Sequence, residues 1–247
     1  MLVRKGCVES ERHGNRVTFI GDIFRKGDFY FEVIAIGEKR KVKIKSLTHD
    51  WESWVFSTKL HNQNLNISYP FNKTVHGVGY LGMGDYDPKI FTKAKASWTG
   101  MLRRVYTDES YEKVCVHESW HNFQNFAEWY QSQYQKQGVL YVLDKDVCSI
   151  DNLLYSSKTC LLLPLSLNAS LAIRSKDVKR SELIEGWFSG DRYFKKKEDA
   201  EDFMSFCRND YLKALTKEAF YKKEIEEYTY EKVVHFIERH YPYTGSY

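Results

Sequence analysis

No CxxC pair occurs among the five cysteines, Cys7, Cys115, Cys148, Cys160 and Cys207. Their odd number and wide spacing argue against a disulfide framework and fit a reducing compartment. No secretory h-region is present, and the longest apolar run, Cys160 to Leu165, is far too short to span a bilayer. These absences predict a soluble, intracellular chain. Internal repeats and low-complexity tracts are also lacking. So is a nucleotide-binding glycine loop. The glycines of GVGYLGMG fall at 77, 79, 82 and 84, but Pro88 follows and the next helix starts only near Lys95. A phosphate-binding turn needs a strand before it and a helix immediately after it. Residues 76–90 therefore read as a linker or tight loop.

What is present is a chain of 247 residues, long enough for one large domain or two to three small ones. The aromatic fraction is high, 16%, with 18 Tyr and 15 Phe. Aromatics stack on nucleic-acid bases, but more often they fill the cores of small domains. A net charge of +4 is mildly basic and compatible with a polyanionic partner.

The first 70 or so residues read as strands, with β-rich runs at Arg16–Ile20, Phe29–Ile36 and Lys41–Lys45. Val42 and Ile44 alternate with Lys41, Lys43 and Lys45, which makes one face apolar and the other cationic. That cationic face is either a solvated surface or a phosphate-facing strand. Seven cations against three acids between Arg25 and Lys45 keep the second reading open. Helical spacing follows over Lys95–Tyr106, with Trp98, Met101, Leu102 and Val105 on one face. It recurs over Asn122–Tyr134, with Phe123, Phe126, Ala127 and Tyr130 in line and Asn122 as N-cap. A polar stretch, Arg174 to Glu185, precedes a strand pair around Trp187-Phe188 and Tyr193-Phe194. Helices are predicted over Glu198–Phe220 and Tyr230–His240.

The chemistry-bearing run is YVLDKDVCSIDNLLYSSKTCLLLPLSLN, Tyr141 to Asn168. It is a β-turn-β pattern closing on a helix start, with Asp144 and Asp146 about two dozen residues before Asn168. A ββα-metal nuclease builds one metal site from a strand and a helix at this spacing. The general base should lie beside Asp144, where the chain has Lys145. A lysine amine, with a pKa of about 10.4 in water, is a cation at neutral pH and not a base. It can still stabilise charge on a phosphate oxygen. Adjacent strand residues point to opposite faces, so Lys145 shares a site with Asp144 only across a bulge. The plain alternative is an exposed strand end carrying Asp-Lys-Asp, with Asn168 capping a helix. His117 and His121 have metal-ligand spacing if helical, but read as surface or core-rim residues.

Four blocks, in order, resemble the HNH-type endonuclease-like proteins of bacteriophages, the AP2/HNH homing-endonuclease group. They are VHGVGYLGMGDY (75–86), WTGMLRRVY (98–106), YEKVCVHESWHNFQNFAEWY (111–130) and LDKDVCSIDNLLYSSKTCLLLPLSLN (143–168). GWFSGDRYFKKKEDAEDF (186–203) is similar to the strand-helix end of an AP2-type DNA-binding module. The resemblance implies a ββα-metal site on double-stranded DNA, with Mg²⁺ or Mn²⁺ as cofactor. Asp144 would be the metal carboxylate and Asn168 the second ligand. Lys145 falls where the water-activating His stands, and Thr159 where a loop Asn orients it. Catalysis would rest on Asp144 and Lys145. Implied DNA contacts are Lys41, Lys43 and Lys45, Arg103 and Arg104, and Lys195, Lys196 and Lys197. The matching cysteines would be small buried residues at strand ends.

The expected fold is α+β in three parts: a β-rich module over 1–74, an HNH-like ββα unit with flanking helices over 75–175, and an AP2-like strand-helix module over 176–247. The expected function is metal-dependent cleavage or nicking of duplex DNA in the cytoplasm of an infected bacterial host, with no membrane involved. A catalytically inactive DNA- or protein-binding module of the same fold is the alternative, and a structural virion component the third reading.

Overall fold

The computed structural model describes residues 10–13, 16–61, 67–148, 153–172, 178–181, 185–245 and 247. The chain divides into two compact units, Met1–Tyr69 and Pro70–Tyr247.

In the first unit, β1 (Ser10–His13) and β2 (Arg16–Phe19) form an antiparallel pair. Strands β3 (Ile23–Lys26), β4 (Phe29–Ile36), β5 (Lys41–Ser46) and β6 (Glu52–Phe56) form a four-stranded antiparallel meander in sequence order. A short helix, α1 (Ser57–Leu60), follows. The period-2 pattern decides the faces. Phe24, Phe31, Val33, Val42 and Ile44 are buried on one side, with Leu60, Ile67 and Tyr69. Tyr69 meets Phe31 edge-on at 4.8 Å between ring centroids and Trp51 at 5.0 Å. Fully burying one such aromatic contributes about 1.5–3 kcal/mol. Lys41, Lys43 and Lys45 lie on the other face, as the alternation predicts.

The second unit begins with a strap. Residues 76–90 are not merely a connector: Val75, Val78, Leu81 and Tyr86 pack into a core with two helices, α2 (Thr92–Thr107) and α3 (Phe123–Ser132). Glycine permits this approach, because a Cβ on Gly79 would sit 2.5 Å from Leu102 Cδ1. Asn122 is the N-cap of α3, its side chain accepting the Gln124 N–H. Between the helices, β7 (Cys115–Val116) pairs in parallel with β9 (Leu154–Tyr155).

Strand β8 (Tyr141–Asp144) pairs antiparallel with β10 (Leu161–Pro164), and α4 (Leu165–Leu171) starts at once. A three-stranded sheet, β11 (Val178–Ser181), β12 (Gly186–Ser189) and β13 (Arg192–Phe194), comes next. Two helices, α5 (Lys197–Tyr221) and α6 (Glu227–His240), complete the unit. The polar stretch 174–185 thus contains a strand, held by pairing of Lys179 with Phe188 and Arg180 with Trp187. Residues 174–177 and 182–184 of it, like Cys7, lie outside the described residues.

Among the described residues the fold is mixed α+β, with six α-helices and several small sheets. Two apolar cores flank the β8–β10 ribbon. Tyr141, Leu162 and Cys160 join Trp98, Trp120 and Phe126 of the first core. Leu161 and Leu163 join Leu167, Leu212, Phe236 and Ile237 of the second. The ribbon's two-residue alternation thus assigns its side chains to opposite cores. Residues 75–175 and 176–247 lie within the one unit. Among the described residues, no helix is long and apolar enough to cross a membrane.

Candidate metal and phosphate site at the β8–β10–α4 corner

Asp144 is the last residue of β8, opposite Leu161 of β10. Its Oδ1 accepts the N–H of Asp146 at 2.9 Å and of Val147 at 2.8 Å, which turns the chain out of the strand. Its Oδ2 makes no hydrogen bond among the described residues. Burial raises the Asp144 pKa, and the neighbouring Asp146 charge adds to this; the two backbone bonds and Lys145 oppose it.

Asn168 stands on the fourth residue of α4. The helix start is fixed by Pro164 as N-cap and by the Leu165 N–H donating to Leu140 at 2.8 Å. Asn168 is therefore one turn inside the helix and is not its cap. Its half-buried amide has no hydrogen-bond partner among the described residues. Asp144, Asp146 and Asn168 line one cleft of about 410 Å³, closed by Val147, Leu171 and Phe236.

The other predicted residues are distributed differently. The Lys145 side chain is only 13% exposed, is ion-paired to Asp146 at 2.5 Å, and does not line the cleft. Thr159 closes the Ser156–Thr159 turn, donating to Leu154 O at 2.6 Å, and is also outside the cleft. Arg103 is exposed; Arg104 bonds Tyr155 and lines a separate groove with Lys93, Tyr141 and Leu143. Lys41, Lys43 and Lys45 belong to the first unit. Lys195, Lys196 and Lys197 are exposed at the start of α5, where Lys197 pairs with Glu201 at 3.2 Å and lies 5.5 Å from the Trp187 ring centroid.

His117 and His121 do not converge. His117 Nδ1 accepts the Ser119 N–H and so caps a 3₁₀ turn, Glu118–His121. His121 Nε2 pairs with Tyr106 Oη at 2.7 Å. The cysteine expectation needs one correction. Cys160 is buried, and burial pushes its thiol up to about 12, but Cys115 is exposed. In the two-residue strand β7, only Val116 turns into the core.

Among the described residues, no group of three or more His, Cys, Asp or Glu is arranged to hold a metal ion. The cleft nevertheless offers oxygen donors only: the free oxygen of Asp144, the unpartnered amide of Asn168, and Asp146. This set suits a hard, largely hydrated cation such as Mg²⁺, which takes one or two carboxylates and completes its shell with water and phosphate. Sequence reasoning missed Phe236, which walls the cleft from α6 more than 60 residues downstream of Asn168. No local pattern could have signalled it. Compared with known proteins, the chain matches no family model, no curated protein sequence and no solved structure.

Proposed function

We propose that the chain is a phage-type, HNH homing-endonuclease-like protein that binds duplex DNA and cleaves or nicks it with Mg²⁺ or Mn²⁺, inside an infected bacterial host. One observation carries this reading: a strand-end carboxylate and an unpartnered helix amide, Asp144 and Asn168, share one cleft at a ββα corner.

Asp144 brings the carboxylate, and its two backbone bonds engage Oδ1 and leave Oδ2 for a ligand. Asn168 adds a neutral oxygen without adding charge. Phe236, Leu171 and Val147 keep one wall apolar, which strengthens electrostatic interactions beside it. A divalent cation bound there would supply charge stabilisation at the scissile phosphate and acidify a bound water. Lys145 holds Asp146 in place. Arg103 and Arg104, with Lys195 to Lys197, would contact phosphates.

A second reading has its own support. No imidazole lines the cleft, and Lys145 is tied to Asp146, so a water-activating side chain is missing from its walls. The same fold would then serve as a binding module for DNA or another protein. Incubation of supercoiled plasmid with the protein and Mg²⁺ or Mn²⁺ separates the two. Nicking that disappears in EDTA and in Asp144→Asn supports the nuclease. Gel-shift binding without nicking supports the binding module. Neither binding nor nicking overturns the nuclease and the DNA-binding module alike.

A further inference from the structure

We propose that the open face of the four-stranded sheet in the first unit is a stacking platform for single-stranded DNA. The choice of deoxyribonucleotides rests on the DNA-cleaving role proposed above.

Cross-strand register defines this face. Arg25 stands opposite Tyr30, Glu32 opposite Lys45, Lys43 opposite Trp54, and Lys41 opposite Phe56. Neighbours in register share a face, and the alternate set is the buried one. Three large aromatics therefore stand on the solvent side: Tyr30 is 42% exposed, Trp54 50% and Phe56 47%. Trp54 and Phe56 stand two residues apart on β6 and so share this face.

Their setting is ordered. The Trp54 indole lies against the main chain of Gly37, so closely that a Cβ there would fall 2.6 Å from Cζ3. One side of the indole is thus held by backbone while half of the side chain stays open. Lys41 Nζ lies 5.8 Å from the Phe56 ring centroid, and Arg25 lies 5.8 Å from that of Tyr30. Each of these rings has a cation beside it, as a base-stacking surface next to a phosphate requires.

Charge along the face is graded. Glu52 pairs with Lys43 at 2.6 Å and approaches Lys45 to 4.0 Å, which neutralises one end. Lys41, at the other end, forms no ion pair among the described residues. Beside it the β4–β5 turn carries two further cations in left-handed backbone, Lys39 at φ 53° and Arg40 at φ 62°. A two-residue hairpin turn, closed here by the Lys41 N–H donating to Glu38 O at 3.1 Å, requires such angles at both central residues. Rings and cations together favour a flexible polyanion with unpaired bases. Lys41 beside the Phe56 ring, and Arg25 beside that of Tyr30, match a chain that offers phosphates and stackable bases together.

The test uses the full chain in EDTA, so that no cleavage is needed or possible. Fluorescein-labelled dT15 is titrated by anisotropy, alongside the dT15·dA15 duplex and rU15. Stacking predicts that Trp54→Ala weakens dT15 binding roughly tenfold or more, Trp54→Phe far less, with duplex binding unchanged. Gly37→Ala, which displaces the indole without removing it, should also weaken dT15 binding. Lys41→Ala should flatten the salt dependence. Each variant is first shown to melt as the wild type does, and Phe56→Ala is the fall-back if Trp54→Ala does not. Unchanged dT15 binding by every correctly folded variant overturns the platform. Equal losses on duplex and single strand reduce it to a phosphate-binding surface, and tighter binding of rU15 overturns the assignment to DNA. Nuclease activity without Trp54-dependent binding defeats this proposal alone, and the converse result defeats only the nuclease.

Discussion

Asp144 Oδ1 accepts the Val147 N–H at 2.8 Å, so the carboxylate offered to a ligand also closes the turn that ends its own strand. Structure and chemistry are therefore separable at this residue by choice of substitution. Asp144→Ala removes both backbone bonds and should cost about 1–3 kcal/mol in urea unfolding. Asp144→Asn keeps an acceptor oxygen and should remove Mg²⁺-dependent nicking with little loss of stability.

The same pair predicts a pH dependence of stability. Burial raises the folded pKa of Asp144, so its proton is held more tightly in the folded state. The stability this group contributes is present at low pH, below the ordinary carboxylate value, and is lost as pH rises through the raised pKa. Asp144→Asn does not titrate. In EDTA its melting temperature should therefore gain on the wild type as pH rises from the ordinary carboxylate value through the raised one. A constant difference across that range would show that burial does not govern this carboxyl.

Placing a histidine at the position where the resemblance expects one should not restore a base. Lys145 does not line the cleft and is paired with Asp146. Nicking by Lys145→His should stay within about twofold of the wild type, whereas an effective general base would be worth about 10²–10⁴. A gain of that size would mean that residue 145 reaches the water after all.

Gly82 has φ +67°, and a Cβ there would collide with Asn122 Oδ1, the atom that caps α3. Gly82→Ala should therefore combine backbone strain with loss of the cap, about 2–3 kcal/mol together. Denaturant midpoints of this variant and of Gly138→Ala, also at positive φ but with open space around it, separate collision from strain.

Asp202 anchors the chain end, accepting the N–H groups of Thr244 and Gly245 and the Tyr247 hydroxyl at 2.7 Å. The Tyr247 bond first, then the Thr244 and Gly245 amides, hold the Asp202 carboxyl below its usual value. Tyr247, donating to that carboxylate, is pushed up to about 12. Asp202 adds stability above the ordinary carboxylate pKa, lost as pH falls through its depressed value. Tyr247 adds stability below the ordinary tyrosine pKa, lost as pH rises to about 12. The anchor is thus secure in the broad neutral range and released at both extremes. The ultraviolet difference between wild type and Tyr247→Phe should show this phenol titrating near 12, and Asp202→Ala should return it toward the normal value.

The helices, the lysine alternation of β5 and the ββα order at Asp144 were legible because each depends on neighbours within a few residues. Asn168 was placed on the right helix by the helix start after Leu163. What was not legible depends on distance in the chain. Phe236 reaches the cleft only because α6 packs on Leu161 and Leu163. The strap at 76–90 looked like a connector because its glycines signal freedom, while their use here is close packing against Trp98, Leu102 and Asn122. Cys115 was expected to be buried only through the resemblance, whereas in β7 it is Val116 that turns inward. A two-residue strand has too few positions for alternation to be read.

The β8–β10 ribbon has a hydrophobic core on each side. Neither of its strands can reach its native solvation until both cores have closed. Solvent exchange of the Val142 and Leu163 amide protons then requires an opening that disrupts both cores together. These amides should be among the slowest to take up deuterium in the second unit. Their exchange would report its global stability, and would tie the position of Asp144 to the integrity of the whole unit.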